Sequence, residues 1–205
     1  MTKYLAILIT VLCFSTTLFG QKIKFLGVDS SMNNYKGCKW TTTSIDYSTS
    51  EEIEKQISIG MLKTETSYYL LNRFAVGGQL FFAMPRGERL VNGQNYNCNT
   101  FGGGFAGVLR WEFVQLYHHT LFVETGAGMI FTLKPFPVFG TNHNFTPNYG
   151  IGTKLKLTNT TQLKFGYRWQ HISNGTGMVA ANPSFNGNGI FMGFNFKLNK
   201  NEKEN

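Results

Sequence analysis

Polar and apolar residues alternate along most of this chain in runs of about ten to fifteen residues, separated by Gly, Asn and Pro. Successive side chains of a strand point to opposite faces, so each run reads as a strand with one apolar face. Strands are expected at Trp40–Ser48, Gln56–Lys63, Tyr68–Met84, Thr100–Val114, His119–Leu133, Phe145–Leu157, Gln162–His171 and Asn188–Leu198. The last is the clearest: Ile190, Met192, Phe194, Phe196 and Leu198 share one face, and Gly189, Gly193, Asn195 and Lys197 the other, with Phe191 the one misfit. No stretch after the leader reads as a capped helix, and Glu51–Lys55 is at most a charged turn. Transmembrane strands need about 9–11 residues and come in even numbers from eight upward, so the pattern predicts an all-β, eight-stranded antiparallel transmembrane β-barrel of the outer membrane.

The leader supports export. In "MTKYLAILITVLCFSTTLFG", Lys3 precedes an apolar run too short to span a bilayer, which is the layout of a signal peptide over residues 1–20. Cys13 follows Leu12 rather than a small residue and makes a poor lipidation site. The barrel is then expected over 21–198, followed by a solvated tail at 199–205, "NKNEKEN". The segment Gly193-x-x-Phe196-x-Leu198 ahead of that tail is similar to the assembly signal of outer-membrane barrels.

Composition agrees: aromatic residues are 15% of the chain, charged residues only 15%, and there are 23 glycines. The net charge of +8 is scattered with no dense basic run, so no nucleic acid is expected as a partner. Cys38 and Cys98 are compatible with one disulfide or with two free thiols. Metal-binding spacings and a GxSxG elbow are missing from the sequence, His118, His119 and His143 fall at expected strand ends or in loops, and "GGGFAG" at Gly102–Gly107 has no helix after it to make a nucleotide site. No cofactor or metal is expected. A soluble, lipocalin-like barrel would need its apolar side chains to point inward.

Candidate chemistry sits at the end of "GYRWQHISNG". Leu163, Phe165, Tyr167 and Trp169 form the apolar face of that strand, opposite Lys164, Gly166, Arg168 and Gln170, and the same register carries His171 and Ser173 outward. Lys164 and Arg168 are expected to pair inside the barrel with acids such as Glu112 or Glu124. The short "TNTT" connection at Thr158–Thr161 fits a periplasmic hairpin, which puts His171 at the outer rim beside the interfacial aromatics Tyr167 and Trp169. Two residues along a strand span about 6.6–6.8 Å, within reach of a hydrogen bond between imidazole and hydroxyl. A histidine and a serine facing lipid suit an ester of an acyl chain. A polar rim with no catalysis is the competing reading.

The motif "YRWQHISNG…NPSFN", followed by a final barrel strand, resembles the lipid A 3-O-deacylase (PagL) family and its relatives described as acyloxyacyl hydrolases. "FVETGAGMIFT" and "NFTPNYGIGTKLKL" extend the resemblance more loosely upstream, over about the last hundred residues. It implies an outer-membrane carboxylic ester hydrolase with Ser173 as nucleophile and His171 as general base, and with Asn174 and Asn182 positioning the loop or stabilising the oxyanion. The implied partner is lipid A of lipopolysaccharide in the outer leaflet, with the protein embedded in the membrane and a homodimer left open. The family completes its triad with a glutamate on the last strand, whereas this chain has Asn186 at the corresponding place and no acid from Gly175 to Leu198. A non-catalytic barrel with a structural, adhesion or pore role, or an inactive homologue, is the alternative.

Overall fold

The computed structural model describes residues 35–52, 55–116, 118–175 and 183–198. The expected leader (1–20), the tail (199–205) and Asn182 lie outside them. Ten strands follow in order: β1 (Lys39–Ser50), β2 (Lys55–Leu71), β3 (Phe74–Val91), β4 (Gln94–Asn97), β5 (Gly102–Gln115), β6 (His119–Thr132), β7 (His143–Phe145), β8 (Asn148–Lys156), β9 (Thr161–Ile172) and β10 (Phe185–Leu198). The eight long ones pair antiparallel in the circuit β1-β2-β3-β5-β6-β8-β9-β10, and β10 returns to β1 from Lys39↔Leu198 to Ser50↔Gly187. The sheet is thus an eight-stranded antiparallel barrel with no free edge around its girth. The short β4 and β7 lengthen its wall at one end, on β3 and β6.

Several expected boundaries are corrected. The run Tyr68–Met84 is not one strand: it turns at Asn72–Arg73, and the polar stretch Thr64–Ser67 ahead of it is no break but lies within β2, which runs on to Leu71. Pro85–Asn99 is not a plain connection. β3 continues to Val91, and Asn92–Gly93, both at positive φ, forms the two-residue hairpin that such a dipeptide favours. Phe145–Leu157 is divided at Pro147, which has no N–H for the ladder. The last strand begins at Phe185 rather than Asn188, because "FNG", turn-like in composition, is paired throughout with β9 and at Gly187 with β1 as well.

Alternation decides what meets lipid. Ile45, Leu80, Phe105, Ile190, Met192 and Phe194 are exposed on the outer wall, Ile190 to 67%, forming the apolar belt of a membrane barrel. A lipocalin-like arrangement would have this face inside. The interior is filled in three layers. Toward the end that carries β4 and β7, Ile57, Ile59, Phe81, Ile130, Ile172 and Phe185 form an apolar plug. In the middle, Arg110 bonds Glu65 (2.7 Å) and Glu124 (2.8 Å), Lys164 bonds Glu124 (2.9 Å), Lys63 bonds Asp46 (2.9 Å), and Arg168 pairs with both Asp46 and Glu124. Glu112 pairs with Lys154. At the opposite end Tyr35, Trp40, Tyr69 and Ala75 pack together, with Tyr35 and Tyr69 rings 5.1 Å apart. Burial, with the Glu112 charge adding to it, pushes the Tyr35 phenol up to about 12, so it stays neutral while accepting from Gln162 Nε2 (2.9 Å).

Phe191, the misfit of the last strand, points inward for a reason supplied by other strands. A Cβ at Gly166 would lie 2.7 Å from its ring and one at Gly152 3.0 Å, so the two glycines make the space that it fills. The ring also stacks beneath the Arg168 guanidinium at 4.5 Å. Cys38 and Cys98 are free. Cys38 bonds to Tyr69 at one end of β2, and Cys98 to Gly87, the partner of Ile57 near the other, which puts them roughly 40 Å apart along the strand.

Candidate active site

The end of β9 is oriented by Ile172. Its side chain is fully buried in the apolar plug opposite Phe185, so His171 and Ser173 on either side of it point outward by alternation, His171 half-buried and Ser173 buried. Ser173 is then held by a bridge to β7: Phe145 N donates to Ser173 O (2.8 Å) and Ser173 N to Phe145 O (3.1 Å). His171 N donates to Pro147 O (3.0 Å), the carbonyl at the β7–β8 break. Gly175 follows with φ +76°, a left-handed conformation that turns the chain away from the strand.

The side chains form one linear network. Ser173 Oγ lies 2.8 Å from His171 Nε2, and His171 Nδ1 lies 2.6 Å from Asn186 Oδ1. Asn186 is brought there by register, as the cross-strand partner of His171 on β10. Because Oδ1 can only accept, Nδ1 carries the proton and Nε2 accepts from the Ser173 hydroxyl. The imidazole ring stacks on Trp169 (6.0 Å between centroids, 15° between planes), and Trp169 stacks on Tyr149 (4.8 Å, 21°). These rings sit where interfacial aromatics are expected, and Trp169, Tyr149, Tyr167, Ile151 and Leu109 line an apolar groove of ≈ 510 Å³ on the outer wall.

Of the expected site residues, Ser173, His171 and Asn186 are brought together. Asn174 is adjacent, fully buried, and its side-chain Nδ2 and Oδ1 find no hydrogen-bond partner among the described residues. Asn182 lies outside the described residues. Lys164 and Arg168 pair inside the barrel with Glu124 as anticipated, but not with Glu112. Among the described residues no group of His, Cys, Asp and Glu is arranged to hold a metal ion. One neighbour escaped the sequence reading: Glu51, just beyond β1, donates its N–H to Asn186 O (3.0 Å), and its carboxylate accepts from Asn188 Nδ2. The signal was the parity of β1, in which Ile45, Tyr47 and Thr49 face outward and Glu51 is next in the series.

An outward Ser–His pair stands at one end of a closed, plugged barrel of the outer-membrane class. The chain belongs to the lipid A 3-O-deacylase (PagL) family, whose sequence profile matches residues 66–195. A comparison with curated protein sequences finds no match. Among solved structures, the chain is similar to the outer membrane enzyme PagL, with 18% identity over 74% of this chain and 97% of that chain and a TM-score of 0.55. It is also similar to the outer membrane protein OprG from Pseudomonas aeruginosa (8% identity, 83% and 100% of the chains, TM-score 0.54) and to neisserial surface protein A (10%, 78% and 96%, TM-score 0.55). At these identities the structural likeness establishes the fold.

Proposed function

We propose that the protein is an outer-membrane serine esterase that removes an ester-linked acyl chain from lipid A. The observation that carries this reading is the Ser173–His171–Asn186 hydrogen-bond chain on the lipid-facing wall of a barrel of this family. Nε2 takes the Ser173 proton as Oγ attacks the ester carbonyl, forming a tetrahedral intermediate. As that intermediate collapses, the same Nε2–H protonates the departing sugar alkoxide and leaves an acyl-serine. Water, deprotonated by His171, then releases the fatty acid. The Asn174 amide, buried beside the nucleophile and without a partner among the described residues, is the candidate donor to the oxyanion, since an unpaired buried amide costs about 1–3 kcal/mol unless a ligand oxygen arrives. The apolar groove that ends at Trp169 offers the acyl chain a path along the wall to His171. No step calls for a metal or cofactor.

Mass spectra of lipid A from cells expressing the wild type, Ser173→Ala and His171→Ala test the proposal. Loss of one acyl chain is expected with the wild type alone, and identical spectra from all three would refute it. Asn186 in place of a carboxylate favours a second reading, a barrel that keeps the fold without the activity, and that reading predicts the identical spectra.

A further inference from the structure

We infer that Glu51 is a positioning residue of this site: its carboxylate holds the Asn186 amide with the oxygen toward His171 and supplies the negative charge that Asn186 lacks. The inference rests on the esterase reading and deepens it. In serine proteases an amide in place of the triad carboxylate fails largely because it stabilises the wrong imidazole tautomer. An amide can turn either its oxygen or its NH2 to the ring, so a site that uses Asn needs something to select the oxygen.

Register places Glu51 to do this. Ser50, the last residue of β1, pairs with Gly187, and the Glu51 N–H just beyond it bonds the Asn186 carbonyl, so Glu51 follows β1 beside Asn186 on β10, which in turn is paired with His171 on β9. All three lie on the outward face. Directly opposed residues in a sheet have Cβ atoms about 4.5–5.5 Å apart, and Glu51, one residue past the ladder and bonded to Asn186 through its N–H, has its carboxylate within reach of the Asn186 amide. Asn188 Nδ2, two residues along the same face of β10, donates to that carboxylate and holds it against the outward face of β10. A carboxylate on that side draws the amide N–H groups toward itself and leaves Oδ1 for the Nδ1–H of His171, the arrangement observed at 2.6 Å. The imidazole lies two strand spacings from Glu51, about 10 Å, at a rim where the lipid lowers the effective dielectric, so the same charge also favours the imidazolium formed during attack.

No other described acid is placed for the task. Asp46, Glu65, Glu112 and Glu124 are buried in the interior network, and Glu88 is on β3, away from β9 and β10. Glu52, the next residue, has its N–H on the Ser50 hydroxyl and so turns with the loop rather than continuing the strand.

The test is a double-mutant cycle on the purified barrel in mixed micelles with lipid A, its folding checked by heat-modifiable migration. Glu51→Gln should lower kcat about tenfold with KM unchanged, and Glu51→Asp, which keeps the charge, should retain most of the rate. Raising the salt concentration should narrow the gap between wild type and Glu51→Gln. In an Asn186→Glu background the loss should vanish or reverse, because a carboxylate already holds His171 and like charges directly opposed repel. A merely structural Glu51 would lose the same factor in both backgrounds, which would overturn the inference, as would an unchanged kcat in Glu51→Gln. A folded wild type with no activity would overturn the esterase reading itself and this inference with it.

Discussion

Asn186→Glu is expected to raise kcat for acyl-ester cleavage by about 10²- to 10³-fold with KM unchanged. In a serine protease the reverse change costs about 10⁴-fold, through tautomer and charge together. Here the tautomer is already correct, since Asn186 Oδ1 faces His171 Nδ1, so restoring the charge returns only part of that factor. The same arithmetic sets the effect of removing the nucleophile. Loss of a catalytic serine costs about 2 × 10⁶-fold where the triad is intact. A site that runs below full strength has less to lose, so Ser173→Ala should cost more in the Asn186→Glu background than in the wild type. Single-turnover rates on lipid A in micelles measure both differences. No gain from a folded Asn186→Glu barrel would show that residue 186 does not orient His171.

Glu124→Ala is expected to destabilise the barrel by about 3–5 kcal/mol, seen as a lower urea midpoint for the folded band on unheated gels. Glu124 pairs with Arg110, Lys164 and Arg168, and all four groups are buried. Removing it leaves three cations competing for Glu65 and Asp46, in an interior that already holds Lys63 and Lys154 as well. Glu88→Ala, at an exposed position, is the control, and should change the midpoint by no more than about 0.5 kcal/mol. Equal midpoints for the two variants would mean that the ionic layer does not hold the fold. That layer, together with the apolar plug and the aromatic cluster, also fills the interior where an open pore would run.

The orientation of the site was legible in the chain because alternation from Leu163 to Trp169 is unbroken and strand geometry carries it on to His171 and Ser173 without further information. The Lys164–Glu124 and Arg168–Glu124 pairs were legible for the same reason, their parity pointing inward. What depends on distant strands was not. Phe191 breaks its own alternation because Gly152 and Gly166, on β8 and β9, leave room for it. "FNGNG" has the composition of a turn, and only its pairing with β1 and β9 makes Phe185–Gly187 a strand that carries Asn186 to His171. Glu51 belongs to the site through the β1–β10 seam that closes the barrel, a contact between the first and last strands that no local pattern encodes.

The central claim, that the outward Ser173–His171–Asn186 chain cleaves an acyl ester of lipid A, is tested most directly by the mass of lipid A after incubation with the purified, folded wild-type barrel. The account predicts loss of one ester-linked acyl chain, recovered as an equimolar amount of free fatty acid, and no such loss with Ser173→Ala. Lipid A left intact by the folded wild type would contradict it.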